Sequence, residues 1–231
     1  MKFQKTAVLV HGSHLESNIN GQTWEDLNIG RVNGKPTLRG RLLMGVKVAK
    51  ESEAEHIFYG SGVVDGDGKP ESKHSIDATK RIEESLADIL HFSSEEKAGF
   101  LTWLEDRAVP DMESLSTRDE CRNTIDSCME KGIDQLILVS SPWHIERCLV
   151  EAFTYTEILR ASGKVPPDIF GTASHGSTEG VLVLEPSHRG DRPRTRWHEL
   201  ARLFFTVSEE KISEFEKQIE LLASEYTKDR E

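Results

Sequence analysis

The sequence predicts an α/β fold: a three-layer α/β/α sandwich on a Rossmann-like, mostly parallel sheet, followed by a C-terminal helical extension. Three observations carry this expectation. Short apolar runs recur without polar alternation, as in strands covered on both faces. Each runs into a turn rich in Gly or Ser, and stretches of helical periodicity fill the gaps between them.

The first run is Ala7-Val8-Leu9-Val10, which enters His11-Gly12-Ser13. The second, His56-Ile57-Phe58-Tyr59, enters Gly60-Ser61-Gly62, and the third, Leu136-Ile137-Leu138-Val139, ends at Ser140-Ser141-Pro142. Asp168-Ile169-Phe170 and Val181-Leu182-Val183-Leu184 are two later strand candidates. Between them, Ile76, Ile82, Leu86 and Leu90 share one helical face, as do Cys121, Ile125, Cys128 and Met129. Ser116 or Thr117 is placed to cap the helix that carries the cysteines. Pro142 suits the first position of a helix capped by Ser141, with Ile145, Leu149, Ala152 and Phe153 facing the core. Ile212, Phe215, Ile219 and Leu222 make a last amphipathic helix. The expected organisation is one α/β domain over residues 1–206 and a helix over 207–231 that packs on the domain or on a partner, a second copy of the chain being one candidate.

Composition narrows the function. The chain has 231 residues and a formal net charge of −11, which argues against bulk nucleic-acid binding, since that needs basic surfaces. No apolar run approaches the roughly 20 residues that span a bilayer. The N-terminus lacks a small-residue cleavage site, so no signal peptide is expected. Cys121, Cys128 and Cys148 lack metal-type spacing and read as small buried residues of a reduced, cytoplasmic protein.

In parallel sheets, ligands bind beyond the carboxyl ends of the strands. The candidates there are His11, Gly12 and Ser13 after the first run, Gly60, Ser61 and Gly62 after the second, and Ser140 and Ser141 after the third. His144 and Arg147 follow at helical spacing; a histidine there suits proton transfer, and an arginine suits a carboxylate or phosphate. Glu113-Ser114 precede the capping segment, which also contains Thr117.

The order of these pieces resembles the YdcF/SanA/ElyC-like domain family. The carriers are Val10-His11-Gly12-Ser13, Gly60-Ser61-Gly62, Glu113-Ser114-Leu115-Ser116-Thr117-Arg118-Asp119-Glu120 and Ser140-Ser141-Pro142-Trp143-His144-Ile145-Glu146-Arg147. Arg41 stands in the helix that resembles the family's Arg-bearing one. The sequence departs from the pattern at Glu120, where the family has Asn, at Asp119, where it has Glu, and at His11-Gly12-Ser13, where it has a glycine pair. The resemblance implies a Rossmann-like fold and, for at least one branch, binding of S-adenosylmethionine.

The expectation is therefore a protein that binds a small anionic, nucleotide-like molecule. His144 and Glu113 are its expected catalytic residues. Its expected ligand contacts are His11, Gly12, Ser13, Arg41, Gly60, Ser61, Gly62, Ser114, Thr117, Ser140, Ser141, Arg147 and Arg189. Arg189 belongs to an arginine-rich stretch, 189–196, that is either a solvated loop or a clamp over the site. A non-catalytic sensor is the alternative, and a metal-dependent hydrolase built on loop histidines such as His11 and His14 is another. Asp65-Gly66-Asp67-Gly68 lacks the later ligands of a calcium loop and reads as a turn. No Gly-x-Ser-x-Gly elbow and no phosphate-binding Gly-x-x-x-x-Gly-Lys-Ser/Thr loop is present.

Overall fold

The computed structural model describes residues 4–12, 24–64, 66–142 and 144–174, without the side chains of Asp26 and Leu27. Five strands form one sheet: β1 (Thr6–Val10), β2 (His56–Tyr59), β3 (Ala108–Pro110), β4 (Gln135–Ser140) and β5 (Asp168–Ala173). All neighbouring strands are parallel, in the order β3-β2-β1-β4-β5. Sequence position therefore runs one way from β1 to β3 and the other way from β1 to β5. The order reverses between β1 and β4, and the carboxyl ends of strands at such a reversal are where these sheets take ligands.

Alternate residues of the central strand serve two cores. Val8 and Val10 of β1 join Ile57 and Tyr59 of β2 beneath α2 (Arg41–Glu51), α3 (Glu71–Arg81), α4 (Glu83–Ile89) and α5 (Ser94–Arg107). Ala7 and Leu9 join Phe58, Leu136 and Leu138 against α6 (Thr117–Lys131) and α7 (Ile145–Ala161). Both faces of β1 are completely buried, which is why its sequence shows no polar alternation. A short helix, α1 (Trp24–Asn28), precedes α2.

Local chemistry fixes several boundaries. Ser93 and Glu96 form a reciprocal capping box at the start of α5. Ser116 caps α6 by accepting from the Asp119 amide, and Gly132 ends that helix in the left-handed region at φ 65°. Gly30, at φ +64°, and Gly40 lie backbone against backbone, where a Cβ on either would collide; this contact sets the start of α2 and hence the place of Arg41.

Three local expectations are corrected. The face shared by Ile76, Ile82, Leu86 and Leu90 belongs to two helices, because the chain breaks at Ile82, where φ is −99°. The last described helix begins at Ile145 with His144 as N-cap, not at Pro142. Ser141 does not cap it with its side chain, because that hydroxyl accepts a bond from Arg41 instead. Phe153 is exposed, since the buried stripe of α7 runs through Ile145, Cys148, Ala152, Thr156 and Leu159. The expected strand at 181–184, the domain boundary at 206 and the helix over 207–231 lie outside the described residues.

Candidate functional site

The polar residues at the carboxyl ends of β1, β2 and β4 are buried rather than solvated. His11, Arg41, Ser61, Ser114, Thr117, Ser140, Ser141 and His144 all fall in this class. Such groups persist only when hydrogen-bonded, and their bonds define two layers.

The upper layer is organised by Arg41, the first residue of α2, with a relative exposure of 0%. Its Nε donates to Ser141 Oγ at 2.7 Å, and its Nη1 donates to the carbonyls of His11 (3.3 Å) and Gly12 (2.5 Å). All three acceptors are neutral, and Nη2 has no partner. Among the described residues no carboxylate forms an ion pair with Arg41. The helix adds to the demand for an anion, because its first turn carries no acidic residue and its N-terminal end is positive.

The lower layer is organised by His11. Its Nδ1 lies 2.6 Å from Glu120 Oε2, with side-chain exposures of 0% and 5%. His144 is bonded through Nδ1 to Ser140 Oγ (2.9 Å) and through Nε2 to Thr117 Oγ1 (3.1 Å). The two rings meet edge to face with centroids 5.8 Å apart. Cys121 and Cys148 complete this layer, both fully buried and unbridged. Burial alone would lower the His11 pKa, yet the Cys148 thiol, the Cys121 thiol and Glu120 raise it well above its ordinary 6.5. Burial likewise opposes ionisation of Cys148, but the His11 and His144 imidazoles hold its thiol below the usual range.

The β2 loop closes the site from the side. Ser61 Oγ donates to Glu71 Oε2 at 2.9 Å, and Trp24 Nε1 donates to Glu71 Oε1 at the same distance. Gly12 and Gly60 are required for space. A Cβ at Gly12 would stand 2.7 Å from the Ser61 amide, and one at Gly60 would stand 2.6 Å from the Glu120 carboxyl carbon. Gly62 donates its amide to the Ser114 carbonyl, and Asp111 Oδ1 accepts from the amides of Glu113 and Ser114.

The structure thus brings together His11, Gly12, Arg41, Gly60, Ser61, Gly62, Ser114, Thr117, Ser140, Ser141 and His144. Arg147 is exposed on α7 and Glu113 is exposed on its turn, so neither side chain is buried in this cluster. Ser13, His14 and Arg189 lie outside the described residues. Among the described residues no group of three or more His, Cys, Asp or Glu side chains is arranged to hold a metal ion. No described helix is long and apolar enough to cross a membrane.

No family model, curated protein or solved structure matches the chain.

Sequence reasoning missed Glu120, Glu71 and Trp24. Glu120 stood out only as a departure from the resembled pattern, and its pairing with His11 depends on α6 packing across β1. Glu71 follows Pro70 at a helix start and finds its partners 10 and 47 residues away.

Proposed function

We propose that the protein binds a small anionic, nucleotide-like molecule where β1 and β4 diverge, with Arg41 holding the anionic group. One observation carries this reading: a fully buried guanidinium whose three bonds all go to neutral acceptors and whose Nη2 has none. A buried charge without a counter-charge costs several kcal/mol, roughly 3–5 when a partner is removed from a buried pair. A bound anion supplies that charge. The position of Arg41 at the strand reversal supports a nucleotide-like ligand, since such sheets bind nucleotides there, and the family resemblance adds S-adenosylmethionine to the molecules to be tried.

A second reading, that the chain also transforms its ligand, is favoured by the His11–Glu120 pair. A carboxylate that fixes one imidazole nitrogen sets the other for proton transfer, worth about 10²–10⁴ in rate where it operates. Fold alone decides neither reading.

The test is a thermal-shift series on wild type and Arg41→Lys with AMP, S-adenosylmethionine, its demethylated product, sugar phosphates and inorganic phosphate. A ligand present at a hundredfold excess over its Kd stabilises the native chain by about 2.7 kcal/mol. Stabilisation of wild type that Arg41→Lys abolishes supports the site. An equal shift in both proteins would move the ligand elsewhere, and silence from every compound would remove the reading. Product analysis on the compound that binds separates binding from turnover.

A further inference from the structure

The pairing of β4 with β5 continues one residue past both strands. The Ser174 amide donates to the Ser140 carbonyl, which sets Ser174 beside Ser141 in the parallel ladder. Side chains alternate along a strand, and the contacts decide which face each residue takes. Ile169 and Ala173 of β5 pack into the core beneath α6 and α7, and Ser140 bonds His144 on that side. Ser141 and Ser174 therefore face the other way, toward α2, where Ser141 Oγ accepts from Arg41 Nε.

The three serines at these strand ends differ in what their hydroxyls do. Ser140 is bonded to His144 and Ser141 to Arg41. Ser174 is 2% exposed and its hydroxyl has no partner. An unbonded buried hydroxyl is costly. Arg41 Nη2, the other unpartnered group on this face, is close by. Nε and Nη2 share one edge of the planar guanidinium. Nε reaches Ser141, and Ser174 is the neighbour of Ser141 on the next strand, about 4.8 Å away between Cα atoms. Two buried donors thus stand side by side on one face, bonded neither to the protein nor to each other.

Resting on the ligand reading above, we propose that Ser174 is a ligand contact, its hydroxyl and Arg41 Nη2 together holding one oxyanion over the end of β4. A phosphate or carboxylate oxygen accepts from both donors. The site then extends to β5, and the anionic group lies on the α2 side of the sheet, away from the His11 layer.

The experiment uses the full chain as wild type, Ser174→Ala and Arg41→Lys. It measures melting temperature without ligand and calorimetric affinity for AMP, S-adenosylmethionine and adenosine. Ser174→Ala removes a hydroxyl that bonds nothing in the unliganded protein, so its melting temperature is expected to hold or rise. Its affinity for the oxyanion ligand is expected to fall about ten- to hundredfold, as for loss of a hydrogen bond to a charged group. Binding of AMP marks a phosphate as that group, and binding of S-adenosylmethionine alone marks a carboxylate. Adenosine, which carries no oxyanion, should bind wild type and Ser174→Ala alike.

Unchanged oxyanion affinity in a folded Ser174→Ala would overturn the inference, and binding that still depends on Arg41 would leave the ligand reading standing. A lowered melting temperature with unchanged affinity overturns it too, by assigning both donors to a buried water. A Ser174→Ala chain that does not fold makes the hydroxyl structural and has the same consequence. Equal losses for AMP and adenosine place the hydroxyl on the nucleoside and also overturn it. Absence of binding by AMP, inorganic phosphate and S-adenosylmethionine to wild type removes both readings.

Discussion

Nδ1 of His11 sits 2.6 Å from Oε2 of Glu120, across 109 residues of chain. The bond ties the end of β1 to the first turn of α6.

Stability should follow the His11 proton. The folded chain binds this proton more tightly than the unfolded chain, whose histidine titrates near 6.5. The contribution is full below that value and is lost as pH rises through the higher folded value. Melting temperature of wild type should therefore fall from neutral toward alkaline pH more steeply than that of His11→Gln, followed by circular dichroism. Parallel curves would show that the pair does not set the slope.

Arg41→Lys should destabilise the fold as well as weaken binding. Lysine cannot span Ser141 Oγ and the carbonyls of His11 and Gly12 together. At least one buried acceptor is stranded, at a cost of about 1–3 kcal/mol. Urea denaturation with an unchanged m-value reads this directly.

Gly60→Ala reaches the same pair by a steric route. The added methyl would overlap the Glu120 carboxyl, which cannot swing aside without releasing His11. The expected loss is about 1–3 kcal/mol. The alkaline slope of the melting curve should flatten toward that of His11→Gln. A variant that keeps the wild-type slope would show that the carboxylate moves without letting go.

Cys148 should be unreactive despite its acidic thiol. The imidazoles of His11 and His144 favour the thiolate, but the side chain has no solvent exposure. Iodoacetamide at neutral pH should leave Cys148 unlabelled in the native chain and label it rapidly in urea, as resolved by peptide mass spectrometry. Fast native labelling would mean that the His11 layer opens to solvent.

Much of the sheet was legible because burial on both faces leaves a plain mark. β1, β2 and β4 each contain one of the apolar runs, and the turns after them hold many of the clustered site residues; β5 also contains a run, although Asp168, Phe170 and Gly171 are exposed and it is not covered on both faces. β3 left no such mark, since Ala108, Val109 and Pro110 are half-buried at the sheet edge and contribute three residues. The spacing of His144 and Arg147 pointed to one helical face, but His144 lies in the turn before the helix, and only Arg147 takes a helical direction to solvent. The pairing of Glu120 was illegible for a different reason: no local rule links two residues whose contact exists only after a sheet and a helix have packed.

The central place of β1 also sets the order in which the chain can fold. Its partners are β2, about fifty residues on, and β4, with Lys5 and Asp134 bonded across 129 residues. Pairings of such sequence separation are slow to form, because the loop must close before the contact rewards it. During synthesis β1 emerges first and stays open along one edge until residues beyond 140 have left the ribosome. Holding that apolar segment apart from other chains in the interval is a task for the cell's chaperones.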